Sequence, residues 1–331
     1  MDVRLPQSLR AGLEALLQTA SRRQLSDKAA VLSERYRRNE PSSQFIRSEG
    51  DVLAYMLGRL PATYAAAVSA FGRLREARPA FLPKTLLDIG AGPGTAAWAA
   101  LAVWPELGSI AMIDHNRNFV AMARELANHS GLAPLNAADI SVGNIADLAL
   151  RDEQFDLVVV NYALTELSMP EVAKAIAALL RHASGMLVMV EPGTTRDYQR
   201  LMATRQQLVA AGAGIVAPCP HAGRCPLPQH DWCHFSVRLP RSRDHMLMKG
   251  ATLPFEDEKF SYLVVETRPN GPAREPYSRV LREPVTSKHA ITLAACTPDG
   301  LRDVTVERRD REVYRSVRKL EWGDRVDLPE K

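Results

Sequence analysis

Apolar positions recur at helical spacing through residues 7–38, where Leu13, Leu16 and Leu17 share a stripe, and again through 51–78, with Tyr55, Met56 and Leu60. Pro79 and Pro83 end this pattern, and after Lys84 short apolar runs begin to alternate with amphipathic segments. TLLDIG (85–90), SIAMID (109–114), FDLVVVN (155–161) and GMLVMVE (185–191) read as strands, and the stretches near 94–104, 117–128, 170–183 and 196–212 as helices. Strands alternating with helices of this length predict an α/β fold, a parallel sheet with helices on both faces. FSYLVVET (260–267) reads as a late, antiparallel strand. HAITLAAC (289–296) reads as another, joined through TPDG to DVTVERR (303–309). The expected organisation is an N-terminal helical region (1–80), a sheet-and-helix core (81–215), an inserted cysteine-rich segment (216–255), and final sheet strands with a small β-rich appendage (256–331).

Between the first strand and its helix, Leu87-Asp88-Ile89-Gly90-Ala91-Gly92-Pro93-Gly94-Thr95 puts glycines where the chain turns sharply. Missing side chains let a ligand approach the backbone, and the helix N-terminus offers free amide hydrogens. A glycine loop of this kind also serves nicotinamide dinucleotides. The order acidic-x-Gly-x-Gly, with Asp88 ahead of Gly90, resembles the first motif of class I methyltransferases. That resemblance implies a Rossmann-like core binding S-adenosylmethionine, with Asp88, Gly90, Ala91, Gly92 and Gly94 as its cradle. Asp114 ends the second strand, where a carboxylate can accept hydrogen bonds from ribose hydroxyls, and His115-Asn116 follow at the adenosine edge. Asp147 stands where that class places an acid near the adenine amine, with Asp139 as its rival. Asn161 and Tyr162 close a strand at the carboxyl edge of the sheet, where open α/β sheets bind ligands. Asn161 is therefore a cofactor candidate, and Asn161, Tyr162, Glu166 and Glu191 are catalytic candidates. Asn161-Tyr162-Ala163 is not the Asn/Asp-Pro-Pro-Tyr/Phe sequence of enzymes that methylate exocyclic base nitrogens, and no residue declares itself a methyl-transfer base.

The chain has four cysteines, Cys219, Cys225, Cys233 and Cys296. Three fall in AGAGIVAPCPHAGRCPLPQHDWCHF, whose Pro, Gly, Cys and His density suits neither helix nor strand. A loop of this length needs something to hold it. Four thiolates satisfy a tetrahedral zinc or a cubane iron–sulfur cluster, and ligation would offset the entropy of ordering the loop. Spacing alone leaves both open. His221, His230 and His234 are available to replace a thiolate around zinc.

Hydrophobic residues make up 46% of the 331 and charged residues 24%, enough to bury a sizeable core. No apolar run approaches the roughly 20 residues of a membrane-spanning helix, and MDVRLPQSLR lacks a continuous apolar signal region, so a cytoplasmic setting is expected. The net charge of +4 is unevenly spread: residues 81–215 carry 9 basic against 13 acidic groups, while 1–80 carry 13 against 8 and 216–331 carry 20 against 17. Basic flanks on an acidic core suit docking on nucleic acid. Arg224, Arg238, Arg241, Arg243 and Lys249, interleaved with Trp232 and Phe235, are the expected RNA contacts.

DIGAGPGT (88–95), EPGT (191–194), Pro218-Cys219-Pro220-His221 with Cys225, Asp231-Trp232-Cys233-His234-Phe235, LAACTPDG (293–300) and WGD (322–324) together resemble the methyltransferase-like family associated with the mitochondrial small ribosomal subunit, which has bacterial relatives. The resemblance covers roughly residues 40–325. It implies a class I methyltransferase fold, a 4Fe-4S cluster held by Cys219, Cys225, Cys233 and Cys296, and binding to the maturing small subunit and its rRNA, the protein being otherwise monomeric. It also implies a cytoplasmic place in a bacterium and a mitochondrial one in a eukaryote. An assembly or translation factor is the leading expectation. An active rRNA methyltransferase comes second, and a small-molecule methyltransferase with structural zinc third.

Overall fold

The computed structural model describes residues 1–18, 21–38, 40, 42–145, 152–269 and 276–328. The helical spacing over 7–38 resolves into two helices, α1 (Gln7–Leu17) and α2 (Arg22–Arg37). The second stretch divides into α3 (Glu49–Gly58) and α4 (Leu60–Ala77). Ser48 starts α3 with a capping box, its hydroxyl accepting the Asp51 N–H while the Asp51 carboxylate accepts the Ser48 N–H.

The core follows in the order β1 (Thr85–Ile89), α5 (Thr95–Val103), β2 (Ser109–Asp114), α6 (Arg117–Asn128), the single turn α7 (Ala133–Asn136), β3 (Asp139–Val142), β4 (Phe155–Asn161), α8 (Met169–His182), β5 (Ala183–Pro192) and α9 (Thr195–Ala210). Next come β6 (Gly214–Ala217), β7 (Phe235–Pro240), α10 (Arg243–Lys249) and β8 (Phe255–Glu266). Among the described residues these strands form one sheet in the order β3-β2-β1-β4-β5-β8-β6, with β7 also paired to β8. The five strands β1 to β5 run parallel, and β8 runs antiparallel to β5, β6 and β7. The strand order reverses at β1 and β4, which opens a crevice at their carboxyl ends.

Alternation along each strand splits the apolar residues between two layers. Leu86, Met112, Val159, Val188 and Val264 belong to the layer that holds Tyr64 and Phe71 of α4 and Trp98 of α5. Leu87, Ile113, Val158, Leu187 and Val265 face α8 and α9 through Ile176, Leu179, Leu201 and Leu208. Ala65, Ala66, Ala67 and Ala70 of α4 are fully buried. Their small side chains let α4 lie against β5, β7 and β8, so the N-terminal region is part of the main core.

The cysteine-bearing segment 218–234 is anchored at both ends by the main sheet, since β6 precedes it, β7 follows it, and both pair with β8. Strand β6 arises inside the Pro- and Gly-rich stretch that reads as neither helix nor strand, and β7 and α10 follow it within the expected 216–255 insertion. The remainder forms a second sheet from β9 (Ser278–Val280), β10 (Val285–Thr286), β11 (Ala290–Thr297), β12 (Gly300–Glu307) and β13 (Arg325–Val326), with α11 (Arg311–Val317) packed on it. Val280, Ile291, Leu293, Val306, Val317 and Val326 form its small core. Among the described residues no helix is long and apolar enough to cross a membrane.

Candidate functional site: a glycine-loop pocket and a four-cysteine cavity

After β1 the chain turns through Gly90, Gly92 and Gly94, all at positive φ (67°, 55° and 86°), a region glycine enters without strain. A Cβ on Gly90 would lie 2.4 Å from that of Ala163, whereas one on Gly92 would meet nothing within 4 Å. Gly92 borders a cavity of about 590 Å³, a volume typical of small-molecule sites. Gly90, Ala91, Asp114, His115, Asn161, Tyr162 and Glu166 border it too. Asp114 accepts the N–H of Gly92 and that of Asn116, each at 2.8 Å, and burial raises its pKa despite these bonds. Asn161 Oδ1 is buried without a hydrogen-bond partner, a polar atom in the cavity wall that a ligand would satisfy.

Other expected residues stand elsewhere. Asp88 is fully buried behind the loop, accepts the Ala97 N–H at 3.2 Å, and is pushed up to about 7 by burial; it supports the loop and does not line the cavity. Gly94 is the N-cap of α5 and faces Met112. The Asn116 side chain turns to the N-terminal region and donates to Ile46 O at 2.9 Å. Asp139 is exposed at the start of β3, away from the cavity, and Asp147 lies outside the described residues. Glu191 is fully buried, accepts the N–H groups of Leu164 and Thr165 at 2.9 and 3.0 Å, and is pushed up to about 8 by burial and by Asp197. It shapes the turn after β4 and is not a free base.

The N-terminal helices complete the pocket with residues that sequence reading did not single out. Ser42 donates to Glu166 Oε2 at 2.7 Å across the opening, and burial raises the Glu166 pKa despite that bond. Tyr162 donates to Glu258 Oε1 at 2.8 Å, and the same oxygen accepts from Arg59 at 3.1 Å. Burial and the Glu258 carboxylate push the Tyr162 phenol well above its usual range, so it is a fixed donor and no proton acceptor. No sequence spacing links Arg59, Tyr162 and Glu258, which meet only through the packing of α4 on the sheet.

Cys219, Cys225, Cys233 and Cys296 all border a second, small cavity, together with Tyr198 and Arg279. Three come from the segment between β6 and β7, and Cys296 from β11. None forms a disulfide. Burial, then the other three thiols, push Cys233 well above its usual range, and burial with Cys219 and Cys225 pushes Cys296 to about 12. The Tyr198 hydroxyl lies 3.1 Å from Cys225 Sγ, and His221 Nε2 lies 3.7 Å from Cys296 Sγ. The thiols surround a cavity rather than a point: among the described residues no three His, Cys, Asp or Glu groups are gathered as a single metal ion requires.

The expected RNA-facing residues are mostly engaged within the protein. Arg238 pairs with Asp257 through two 2.8 Å bonds, and Arg241 and Lys249 both pair with Glu256. Trp232 donates to Gly193 O at 3.0 Å and stacks on His234, while Phe235 is a core residue against Phe260 and Tyr262. Arg224 and Arg243 are exposed and carry no ion pair among the described residues. A second group was not foreseen. Arg311, Arg315 and Arg318 sit one and two turns apart on the exposed side of α11, whose Val313, Tyr314 and Val317 pack on the second sheet.

Strand order, antiparallel β8 and glycine loop together define a Rossmann-like methyltransferase fold. The chain belongs to the family described as mitochondrial small ribosomal subunit Rsm22, which matches residues 49–327. The human mitochondrial ribosome assembly protein METTL17 is 29% identical over 299 residues, covering 84% of this chain and 62% of that protein. The Rsm22-cox11 tandem protein 2 of Schizosaccharomyces pombe, also mitochondrial, is 25% identical over 330 residues, covering 85% and 44%. The chain thus spans about half the length of these relatives. Among solved structures, magnesium protoporphyrin IX methyltransferase from Synechocystis with bound SAH aligns at a TM-score of 0.40, with 14% identity over 64% of this chain and 88% of that one. The ribosomal protein L11 methylase of Lactobacillus delbrueckii gives 0.35, with 20% identity over 60% and 78%. Scores this low do not bear on function.

Proposed function

We propose that this protein assists assembly of the small ribosomal subunit by binding its rRNA, and that it carries S-adenosylmethionine in the glycine-loop pocket and a 4Fe-4S cluster among its four cysteines. The observation that carries this reading is the family match, which covers the glycine loop and all four cysteines in one stretch.

The pocket residues suit S-adenosylmethionine. Asp114 would take the ribose hydroxyls, the Gly90–Gly92 backbone the methionine end, and the unpartnered Asn161 Oδ1 a donor of the ligand. When bound, the cofactor supplies an electrophilic methyl group. Glu191 and Tyr162 are both committed to internal bonds, so a structural use of the cofactor is favoured over methyl transfer by either group. Four cysteines lining one cavity would suit a multi-atom core, which holds its four thiolates farther apart than a single ion does. The stripe on α11, with Arg224 and Arg243, offers cations to a phosphate backbone.

The test is co-sedimentation of the full chain with small-subunit precursors, set beside the subunit profile of cells lacking it. Accumulation of immature small subunits without the protein is expected. Normal profiles and no co-sedimentation would end the assembly reading.

A further inference from the structure

Two arginines lie against the cysteine cavity, and their surroundings are unusual for buried cations. Arg205 of α9 and Arg279 of β9 are each 2% exposed, and an arginine keeps its charge even when buried. A buried cation is costly unless an anion answers it. Partly buried arginines such as Arg59, Arg73, Arg78 and Arg241 are paired, with Glu258, Asp324, Glu266 and Glu256. Neither Arg205 nor Arg279 forms an ion pair with a carboxylate among the described residues; Arg279 stacks on Tyr277 and feels Glu76, which is itself paired with Arg73. Arg205 donates to His221 O at 2.7 Å, and its Nε is a buried donor with no acceptor. Arg279 donates to Pro218 O at 3.1 Å and to Gly323 O at 2.8 Å. Both therefore hold the backbone around the cysteine segment and face the thiols. Arg279 borders the cavity and sits opposite Cys296 in the β9–β11 register, and Arg205 reaches Cys219.

Four thiolates on a dicationic core, whether a cubane or zinc, leave two negative charges inside the protein. We infer that Arg205 and Arg279 are the counter-charges of this centre: positioning residues that neutralise an anionic metal–thiolate group, secure its retention and, for a cluster, favour its reduced state. This rests on the reading of the four cysteines as a metal centre. It explains two buried cations without carboxylates and an Arg205 Nε aimed at no protein acceptor, since sulfur on a cluster accepts N–H bonds. Removing a nearby positive charge disfavours adding an electron, so the sign of the effect on potential is fixed.

The experiment compares full-length protein purified without oxygen with Arg205→Gln, Arg279→Gln, Arg205→Lys and Arg279→Lys. Each Gln variant should lose metal to a fixed chelator with about tenfold weaker retention, the range seen when groups supporting metal ligands are removed. Its midpoint in a dithionite titration should move to a more negative potential, and the Lys variants should recover most of both. A purely structural role predicts something different. Hydrogen bonds to Pro218 and Gly323 matter with or without metal, whereas a counter-charge matters only when the anion is there. The Gln variants should therefore lower the unfolding temperature much more in loaded protein than in metal-free protein, where only the hydrogen bonds to the backbone are lost. Loaded Gln variants with unchanged retention and potential, or equal destabilisation in both states, would overturn the inference and leave the metal centre standing. Wild-type protein that holds neither iron nor zinc would remove the centre itself and the inference with it. If the metal is zinc, retention and the two unfolding comparisons decide alone.

Discussion

Asp197 and Tyr198 are consecutive residues of α9 that face different sites. Asp197 borders the glycine-loop pocket and accepts from Thr165 Oγ1 at 2.8 Å, while the Tyr198 hydroxyl lies 3.1 Å from Cys225 Sγ in the cysteine cavity. Substitutions one position apart should therefore have separable effects. Asp197→Ala frees Thr165 and Arg196 in the pocket wall and should weaken S-adenosylmethionine binding roughly three- to tenfold, the equivalent of one hydrogen bond, with metal content unchanged. Tyr198→Phe should speed metal loss and leave cofactor affinity alone. Calorimetry and metal analysis on the same preparations distinguish the two, and a coincident change in both variants would contradict the separation.

Cofactor recognition should depend on the loop backbone and on Asp114. A valine at Gly92 would send its side chain into the open cavity and strain a backbone at φ 55°, so Gly92→Val should abolish binding. Asp114→Ala should weaken it by about 1–3 kcal/mol through lost charge-assisted hydrogen bonds. Tighter binding of NAD than of S-adenosylmethionine in a titration would show the pocket to be misassigned.

Stability should fall as pH rises across neutrality. Burial lifts Asp88 from 3.8 to about 7 and Glu191 from 4.5 to about 8, so the folded state keeps protons that the unfolded chain has released. Their contribution is greatest below the unfolded values and is lost as pH climbs through the folded ones. Urea unfolding followed from about pH 5 to about pH 8 should show this decline, and Glu191→Gln should flatten it. A slope unaltered by both Glu191→Gln and Asp88→Asn would assign the pH dependence to other groups.

Protein prepared without oxygen should contain about four irons and four sulfides per chain. Replacing any of the four cysteines by Ser should release the cluster and accelerate hydrogen exchange over residues 218–234, because ligation and loop order are coupled. Full iron in Cys296→Ser would strike that residue from the ligand set.

Salt should control RNA binding. Reversing Arg311, Arg315 and Arg318 to Glu should reduce co-sedimentation with the small subunit and flatten its salt dependence by roughly one slope unit per lost phosphate contact. Arg238→Ala should do far less, since Arg238 already pairs with Asp257. Equal losses from the two would place the interface on the β7 side instead.

Strands and helices of the parallel core were legible because continuous apolar runs such as FDLVVVN mark strands covered on both faces, and a 3.6-residue period marks the helix near 117–128. The cradle glycines were legible for the same local reason. Strands β6 and β7 were not, because a strand of four to six residues beside prolines and cysteines gains its order from β8, distant in the chain. The Arg59–Glu258–Tyr162 cluster and the guanidinium groups of Arg205 and Arg279 were hidden likewise, as they meet only after the sheet has formed. Charge counting also missed the partners of Arg238, Arg241 and Lys249, because Asp257 and Glu256 lie on β8 rather than beside them in sequence.

Cys296 is separated from the other three thiols by the whole of β7, α10, β8, β9 and β10, and β11, which carries it, pairs with β9. Any group held by all four thiols thus spans the two sheets. The described lining of the glycine-loop pocket ends at Asp197, so that pocket draws on the chain before β6, whereas the cysteine cavity needs β11 as well. Removing β11 would therefore leave the walls of the first cavity in the chain and take one wall from the second.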